Sequence, residues 1–316
     1  MILGPHEMPA FFSDLELREC TNGYARDRRK GVGGFGAVFA GYNLREFNEV
    51  AVKRLERRGC SVEDWESKKR TCNRELAVSM RCDHPCLVKV VGIAKGKDYA
   101  IVYTPLARCS LMDAVDHEAV WPSADRVRAC KDVVQALVAL HEKRIVHGDV
   151  KMQNVLLAGG ATDRGCILSD FGNSRVVRGN TVTLDHDDCA YPYWSPEYRD
   201  EGVLSFGMDM YGMGMLMLEL YTWSFAFTDP SVTAARIEAF TRGDERGVRD
   251  MAAGAWEPAL QARFAALAGR CLASNRTSRP TAAEYAVEVD AMLSGHKLDT
   301  PQKTTTKRKR DVQASS

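Results

Sequence analysis

Residues 147–154, HGDVKMQN, bring a carboxylate, an ammonium group and a carboxamide close together along the chain. Asp149 can accept the proton of a hydroxyl group, Lys151 can neutralise a phosphate oxygen, and Asn154 can offer an amide oxygen to a divalent cation. A second oxygen ligand for such a cation is available from Asp170, in LSDFG. These residue types suit phosphoryl transfer, because that reaction depends mainly on positioning and charge neutralisation.

A glycine-rich segment, GVGGFGAV (31–38), provides a backbone that can approach phosphate oxygens closely. Alone this pattern also fits a plain glycine-rich hairpin or a dinucleotide-binding fold, but the latter would place a helix directly after the glycines. Here a strand-like segment and then VAVK (50–53) follow. On such a strand Lys53 can reach the α- and β-phosphates of a nucleotide, with Glu75 on the next helix as its candidate partner.

Strand-like runs rich in Val, Ile, Phe and Tyr dominate the N-terminal part of the chain. A charged helix that begins at Ser61 is predicted between the second and the third of these runs, over residues 61–80. The predicted strands cover residues 36–43, 49–55, 86–94 and 99–104.

After residue 110 the periodicity changes to that of helices. The predicted helices are 123–143 with the candidate N-cap Ser123, the buried run 207–220, and a helix with the capping box Thr281 and Glu284 that stops at Gly295. The order of elements predicts an α+β protein with two lobes, the first small and β-rich with one main helix, the second larger and mostly α-helical. Ligands commonly bind between two such lobes.

The composition is typical of a soluble globular protein, with 316 residues, 27% charged and 45% apolar side chains, and a formal net charge of +1. This charge balance predicts neither a nucleic-acid partner nor a membrane partner, and no signal peptide or membrane span is expected. The ten cysteines lack a regular spacing and are interpreted as reduced thiols of an intracellular protein. CDHPC (82–86) is interpreted as a turn and not as a metal site.

These motifs together resemble those of the eukaryotic protein-kinase family, in the same order along the chain. HGDVKMQN matches the catalytic loop H-R-D-L-x-x-x-N except that Gly148 replaces the arginine, and LSDFG contains the D-F-G motif. Glu197 in SPE resembles the glutamate of the A-P-E motif, which in the family pairs with an arginine, here Arg279. Asp209 resembles the family's buried aspartate that supports the catalytic loop. The resemblance covers roughly residues 20–295.

The resemblance implies a protein kinase that uses ATP with Mg²⁺ or Mn²⁺ and acts on protein substrates. It implies that Tyr103 is the gatekeeper residue and that the backbones of Thr104 and Leu106 contact adenine. The implied ATP-binding residues are Gly31, Val32, Gly33, Gly34, Phe35, Gly36, Val38, Ala51, Lys53, Glu75, Tyr103, Thr104 and Leu106. The implied catalytic residues are Asp149 and Lys151, the metal ligands are Asn154 and Asp170, and the structural residues are His147, Phe171, Gly172, Glu197, Asp209 and Arg279.

The expected domain organisation follows from the same resemblance. It comprises an N-terminal leader (1–20), a kinase domain (21–295) and a disordered basic tail (296–316), the domain being divided into an N-lobe (21–103), a hinge (104–109) and a C-lobe (110–295). In the tail Lys307, Arg308, Lys309 and Arg310 match a nuclear import signal, and a solubilising tail is the alternative. We expect an intracellular protein of the cytoplasm, the nucleus or both, acting as a monomer or in transient complexes.

Two alternative functions remain open. Aminoglycoside and choline kinases also carry His-Gly-Asp followed by an asparagine, but Lys151, the intact D-F-G motif and the helical-lobe motifs argue against a small-molecule kinase. The second alternative is a pseudokinase that binds ATP without turnover. Such proteins typically lose the strand lysine, the catalytic aspartate or the D-F-G aspartate, and here all three are present.

Specificity for serine and threonine is predicted from Lys151 and from Tyr193, which resemble the Ser/Thr kinases. Cys189 and Ala190 depart from the Gly-Thr that is usual before Tyr193 in that type, and they affect the expected substrate pocket. Gly148 leads to a prediction about regulation, because the family's arginine at that position binds a phosphate on the activation segment, here residues 170–197. Since that cation is missing, we expect activity that does not require phosphate on Thr181 or Thr183, the candidate sites of this segment.

Overall fold

The computed structural model describes residues 9–33, 36–43, 48–158, 165–183, 193–225 and 230–295. It confirms the α+β, two-lobed architecture predicted from the sequence, with a β-rich N-terminal lobe and a mostly helical C-terminal lobe. Among the described residues, no helix is both long and apolar enough to cross a membrane.

The N-terminal lobe is built on one six-stranded sheet flanked by two helices. Its elements are β1 (Ala10–Phe11), α1 (Asp14–Cys20), β2 (Arg29–Gly33), β3 (Gly36–Asn43), β4 (Asn48–Leu55), α2 (Val62–Ser79), β5 (Lys89–Lys95) and β6 (Tyr99–Thr104). The strand order is β1-β5-β6-β4-β3-β2, and all neighbours are antiparallel except β1 and β5. The antiparallel register of β4 and β6 sets Lys53 opposite Ile101 in the middle of the sheet.

Residues 9–20, which the sequence led us to treat as a leader, pack against this sheet. The ring of Phe12 lies so close to Gly92 on β5 that a Cβ there would be 2.0 Å from Phe12 Cε2. Leu17 of α1 is buried in one apolar cluster with Val50 and Val102. These residues therefore contribute to the core of the N-terminal lobe.

Helix α2 agrees with its prediction over 61–80, because the Ser61 hydroxyl accepts a hydrogen bond from the Asp64 N–H (3.0 Å) as an N-cap. The strand predicted over 86–94 was placed too early, since β5 begins at Lys89. The Val88 N–H donates to the Leu168 carbonyl (3.0 Å), and the Leu168 N–H donates to that of Cys86 (2.8 Å). The backbone groups of Cys86 and Val88, at the start of the predicted strand, therefore bond to the C-terminal lobe and not to a neighbouring strand of the sheet.

The C-terminal lobe combines helices with short strand pairs. Its elements are β7 (Cys109–Ser110), α3 (Leu111–His117), α4 (Ser123–Glu142), β8 (Ile145–Val146), β9 (Val155–Leu157), β10 (Cys166–Leu168), β11 (Arg175–Val176), β12 (Thr181–Thr183), α5 (Pro196–Glu201), β13 (Val203–Ser205), α6 (Phe206–Thr222), α7 (Pro230–Arg242), α8 (Glu245–Asp250), α9 (Pro258–Cys271) and α10 (Ala282–Ser294). The strands form the sheets β10-β9-β7, β11-β8 and β12-β13.

Helix α6 lies at the centre of this lobe, as its apolar sequence predicts, and its methionines are at most 4% exposed. Helix α10 begins with the predicted capping box of Thr281 and Glu284. The predicted N-cap of α4 was wrong by one position. Pro122 is the N-cap, because its carbonyl accepts the first helical hydrogen bonds, and Ser123 is already the first helical residue.

Candidate active site

A buried ion pair joins β4 to α2 where the two lobes meet. Lys53 Nζ lies 2.6 Å from Glu75 Oε1 and 3.8 Å from Asp170 Oδ1, which follows β10 in the other lobe. Burial alone would lower the pKa of Lys53, but the two carboxylates raise it overall, so the lysine is held in its charged form. The structure therefore brings together the strand lysine, the helix glutamate and the D-F-G aspartate that the sequence singled out.

Tyr103 holds the same glutamate from another side. Its hydroxyl donates a hydrogen bond to Glu75 Oε2, and both side chains are buried. Burial raises the pKa of Glu75, whereas Lys53 and the Tyr103 hydroxyl stabilise its ionised form and oppose that effect. Sequence reasoning placed Tyr103 beside the nucleotide but missed this bond, because it depends on how closely α2 approaches β6.

The catalytic-loop residues are arranged around the Asp149 carboxylate. Lys151 Nζ lies 2.9 Å from Asp149 Oδ2, and Asn154 Nδ2 donates to the same oxygen (3.0 Å) and to the Asp149 carbonyl (2.8 Å). These contacts fix the orientation of the carboxylate. They also use the nitrogen of the Asn154 amide, which leaves its oxygen as the atom that could bind a cation.

Asp209, at the start of α6, holds the backbone of the catalytic loop. Its carboxylate accepts hydrogen bonds from the backbone N–H groups of His147 (2.9 Å) and Gly148 (2.8 Å). A third contact comes from His141 Nε2, 2.8 Å away, at the end of α4. The sequence predicted the structural role of Asp209 but missed His141, for which its position in the last turn of the helix before the loop was the only available signal.

The D-F-G segment packs directly against α2. Phe171 is 1% exposed and contacts the His147 ring edge to face at 5.5 Å. A Cβ at Gly172 would lie 2.6 Å from Thr71 Cγ2, so only glycine allows this approach. Arg74 of α2 donates to the Gly172 carbonyl (2.8 Å). The helix that carries Glu75 and the segment that carries the metal-ligand candidate are therefore in direct contact.

Glu197 and Arg279 form the second buried ion pair predicted from the sequence. The two guanidinium nitrogens lie 2.7 and 2.8 Å from the two carboxylate oxygens, and the arginine side chain is completely buried. Burial raises the pKa of Glu197, but the hydrogen bonds and charge of Arg279 lower it overall. The pair holds α5, which begins at the end of the activation segment, against the remainder of the C-terminal lobe.

The glycine-rich residues lie on the hairpin of β2 and β3, with Gly31 opposite Val38 and Gly33 opposite Gly36. A Cβ at Gly36 would be 2.2 Å from the Arg54 carbonyl oxygen on β4. Position 36 therefore requires glycine, because β4 approaches it too closely for a side chain. The other residues predicted to contact the nucleotide lie on the same sheet or directly after it. They are Val32 on β2, Ala51 opposite Tyr103, Thr104 at the end of β6, and Leu106 shortly after β6.

Several predicted features lie outside the described residues. They are Gly34 and Phe35 of the glycine-rich loop, Cys189 and Ala190 of the activation segment, and the tail with Lys307, Arg308, Lys309 and Arg310.

The chemistry of the donor set fits a magnesium or manganese ion. Asn154 and Asp170 offer an amide oxygen and carboxylate oxygens, the hard ligands that these ions prefer. In the part of the chain that the structure describes, no group of three or more His, Cys, Asp or Glu side chains could hold a metal by itself.

A family model described as the protein kinase domain matches residues 24–289. This chain belongs to the protein kinase family. The match covers both lobes and includes all the residues described above as the candidate site, which supports a protein kinase over a small-molecule kinase.

Curated plant proteins are among the relatives of this kinase. It is 30% identical over 283 residues to U-box domain-containing protein 70 of Oryza sativa subsp. japonica, covering 85% of this chain and 33% of the relative. It is 30% identical over 282 residues to the receptor-like serine/threonine-protein kinase ALE2 of Arabidopsis thaliana, covering 85% and 36%. A G-type lectin S-receptor-like serine/threonine-protein kinase, RKS1 of the same plant, is 31% identical over 233 residues, covering 68% and 26%. The chain therefore spans about a third or less of the length of these relatives.

Proposed function

We propose that this protein kinase transfers the γ-phosphoryl group of ATP to serine and threonine hydroxyls of protein substrates, with Mg²⁺ or Mn²⁺. The observation that carries the proposal is that Lys53 pairs with both Glu75 and Asp170. The three residues come from β4, from α2 and from the segment after β10. A charged lysine held in this way suits the α- and β-phosphates. The metal ion, when bound by Asn154 and Asp170, supplies charge neutralisation of the phosphates.

Asp149 is the residue that we propose to act on the acceptor hydroxyl of the substrate. Its carboxylate is fixed by Asn154 and lies 2.9 Å from Lys151 Nζ, so it can orient a hydroxyl and accept its proton while the ammonium group neutralises the transferred phosphoryl group. The presence of Lys151 beside Asp149, together with relatives that are named serine/threonine-protein kinases, supports Ser/Thr specificity.

The experiment is transfer of radiolabelled phosphate from ATP to a generic protein substrate by the purified chain, followed by phosphoamino-acid analysis. We expect phosphoserine and phosphothreonine, dependence on added Mg²⁺ or Mn²⁺, and no signal from an Asp149→Ala variant that still binds ATP. No transfer by the wild-type chain, despite ATP binding, would favour the pseudokinase alternative. Equal phosphorylation of tyrosine would contradict the proposed specificity.

The location in the cell is a separate proposal. The cluster of Lys307, Arg308, Lys309 and Arg310 supports nuclear import, in a protein otherwise expected in the cytoplasm. A reporter fused to residues 296–316 should accumulate in the nucleus, and a matched reporter with all four residues changed to alanine should not. Identical distributions of the two reporters would favour the solubilising tail.

A further inference from the structure

Gly148 is tightly enclosed although it has no side chain. Its φ is +77°, a conformation that other L-residues rarely adopt. A Cβ added there would lie 3.2 Å from the Asn173 carbonyl oxygen and 3.2 Å from Leu204 Cδ1. The space that a side chain at position 148 would need is therefore taken by the backbone of the activation segment and by a leucine.

That leucine belongs to an apolar cluster that we call the clasp. Val146, Val177, Leu204 and Met208 are buried in it, each at most 4% exposed, and the half-buried Val182 packs against them. Val146 lies on β8, before the catalytic loop, and Val177 and Val182 belong to the activation segment. Leu204 on β13 and Met208 on α6 pack with them, so the cluster connects the strand before the catalytic loop with the activation segment.

Backbone pairing extends the same connection. Strand β11 pairs with β8, so that Arg175 lies opposite Val146, and β12 pairs with β13, so that Val182 lies opposite Leu204. On β12 the threonines on either side of Val182 are exposed. The described start of the activation segment is thus held at two points by main-chain hydrogen bonds, with its hydrophobic side facing the clasp.

Three arginines donate hydrogen bonds to the backbone of the segment. Arg74 donates to the carbonyl oxygen of Gly172 (2.8 Å), and Arg175 donates to those of the two residues before it (2.9 and 3.0 Å). Arg144 donates to the carbonyl oxygen of Gly179. Three arginines therefore contact the described start of the segment through its carbonyl oxygens.

From these observations we infer that the clasp positions the activation segment and the catalytic loop, in place of the ionic contact that an arginine at position 148 makes in the family. Leu204 and Val182 are its positioning residues. They act on Asp149, which binds the acceptor hydroxyl, through the neighbouring Gly148 and through Asn173. The inference rests on the proposed function for its turnover readouts, and it gives a physical reason for the expectation that phosphate on Thr181 or Thr183 is not required.

The first test compares Leu204→Ala with Val176→Ala, a matched control because Val176 lies on β11 of the same segment but is 49% exposed. Leu204→Ala should lower kcat/KM for a protein substrate by about tenfold or more, while the Kd for ATP changes by less than about twofold. Hydrogen exchange of the amides of residues 175–183 should become faster in Leu204→Ala alone. Wild-type turnover and wild-type protection in that variant would overturn the inference.

A general loss of folding is separated from positioning by two further variants. Leu204→Met keeps the volume of the side chain and should restore both turnover and protection. If Leu204→Ala does not fold, Val182→Ala, at a half-buried position, takes its place with the same expected changes. A Leu204→Met variant as impaired as Leu204→Ala would argue against an apolar clasp.

The second test is the double variant Thr181→Ala, Thr183→Ala, prepared beside phosphatase-treated wild-type protein. Both should keep turnover within about threefold of the untreated protein. A loss of about a hundredfold or more would show that a phosphate holds the segment, and would overturn the inference. If the wild-type protein transfers no phosphate at all, the proposed function fails, whereas the hydrogen-exchange comparison still decides whether the clasp exists.

Discussion

Replacing Arg279 with methionine should lower the free energy of unfolding by about 3–5 kcal/mol, the cost typical of removing one partner of a buried ion pair. The guanidinium donates twice to Glu197 and three times to main-chain carbonyl oxygens, at 2.8, 2.9 and 3.2 Å. Methionine is shorter, replaces only the unbranched stem of arginine, and donates no hydrogen bond. The variant therefore leaves Glu197, whose side chain is 9% exposed, charged and without its cation.

The assay is urea denaturation at neutral pH, with Arg270→Met as the matched control. Arg270 pairs with Glu288 on the surface, where their side chains are 50% and 40% exposed. Such an exposed pair contributes about 0–1 kcal/mol, so the control should be close to the wild type. Equal destabilisation by the two variants would refute the reasoning that burial makes the Arg279 contact different.

The same pair predicts a pH dependence with a definite sign. Burial raises the pKa of Glu197, but Arg279 lowers it overall, below its usual value of 4.5. Because the folded-state pKa is lower than the unfolded one, the stabilisation is complete above the unfolded value and is lost as the pH falls through the folded value. The difference between wild type and Arg279→Met should therefore be largest near neutrality and shrink in acid. A difference that stays constant down to about pH 3 would contradict this assignment.

Three further predictions concern the site itself. Asp149→Ala should abolish phosphoryl transfer yet leave the Kd for ATP, measured by calorimetry, within about twofold; residual turnover would reject its assignment as the base. Tyr103→Phe removes a hydrogen bond that favours ionised Glu75, which raises the pKa of that carboxyl, so the acid limb of the kcat/KM profile for ATP should move to higher pH. An unchanged profile would show that this bond does not control the ion pair. Gly148→Ala should lower the free energy of unfolding by about 1–2 kcal/mol because its φ is positive, whereas Gly179→Ala, with open space around its Cβ position, should not.

Local sequence determined the groups that could do chemistry. Asp149, Lys151 and Asn154 are close together along the chain, so their types and spacing alone indicated phosphoryl transfer, and the structure places them within hydrogen-bonding distance. The same holds for elements defined by their own residues. The strand 99–104 and the capping box of Thr281 and Glu284 were predictable because a short run of β-branched and aromatic residues and a capping box both depend on neighbours only a few residues apart.

Long-range packing decided what the sequence could not. The bond between Tyr103 and Glu75 depends on the position of α2 over the sheet, and the misplaced start of β5 depends on Leu168, which is distant in sequence. No periodicity encodes such contacts, because they arise when separate elements compete for the same backbone groups and the same buried volume.

Gly148 shows most clearly the difference between what the local sequence determines and what long-range packing decides. The sequence showed a glycine where the family's catalytic loop has an arginine, and through that resemblance it predicted that a phosphate on the activation segment would lack its usual partner. Only the tertiary structure decided what fills its place. Leu204, from a strand that pairs with the activation segment, packs against the glycine, since a residue without a side chain leaves room for an apolar neighbour.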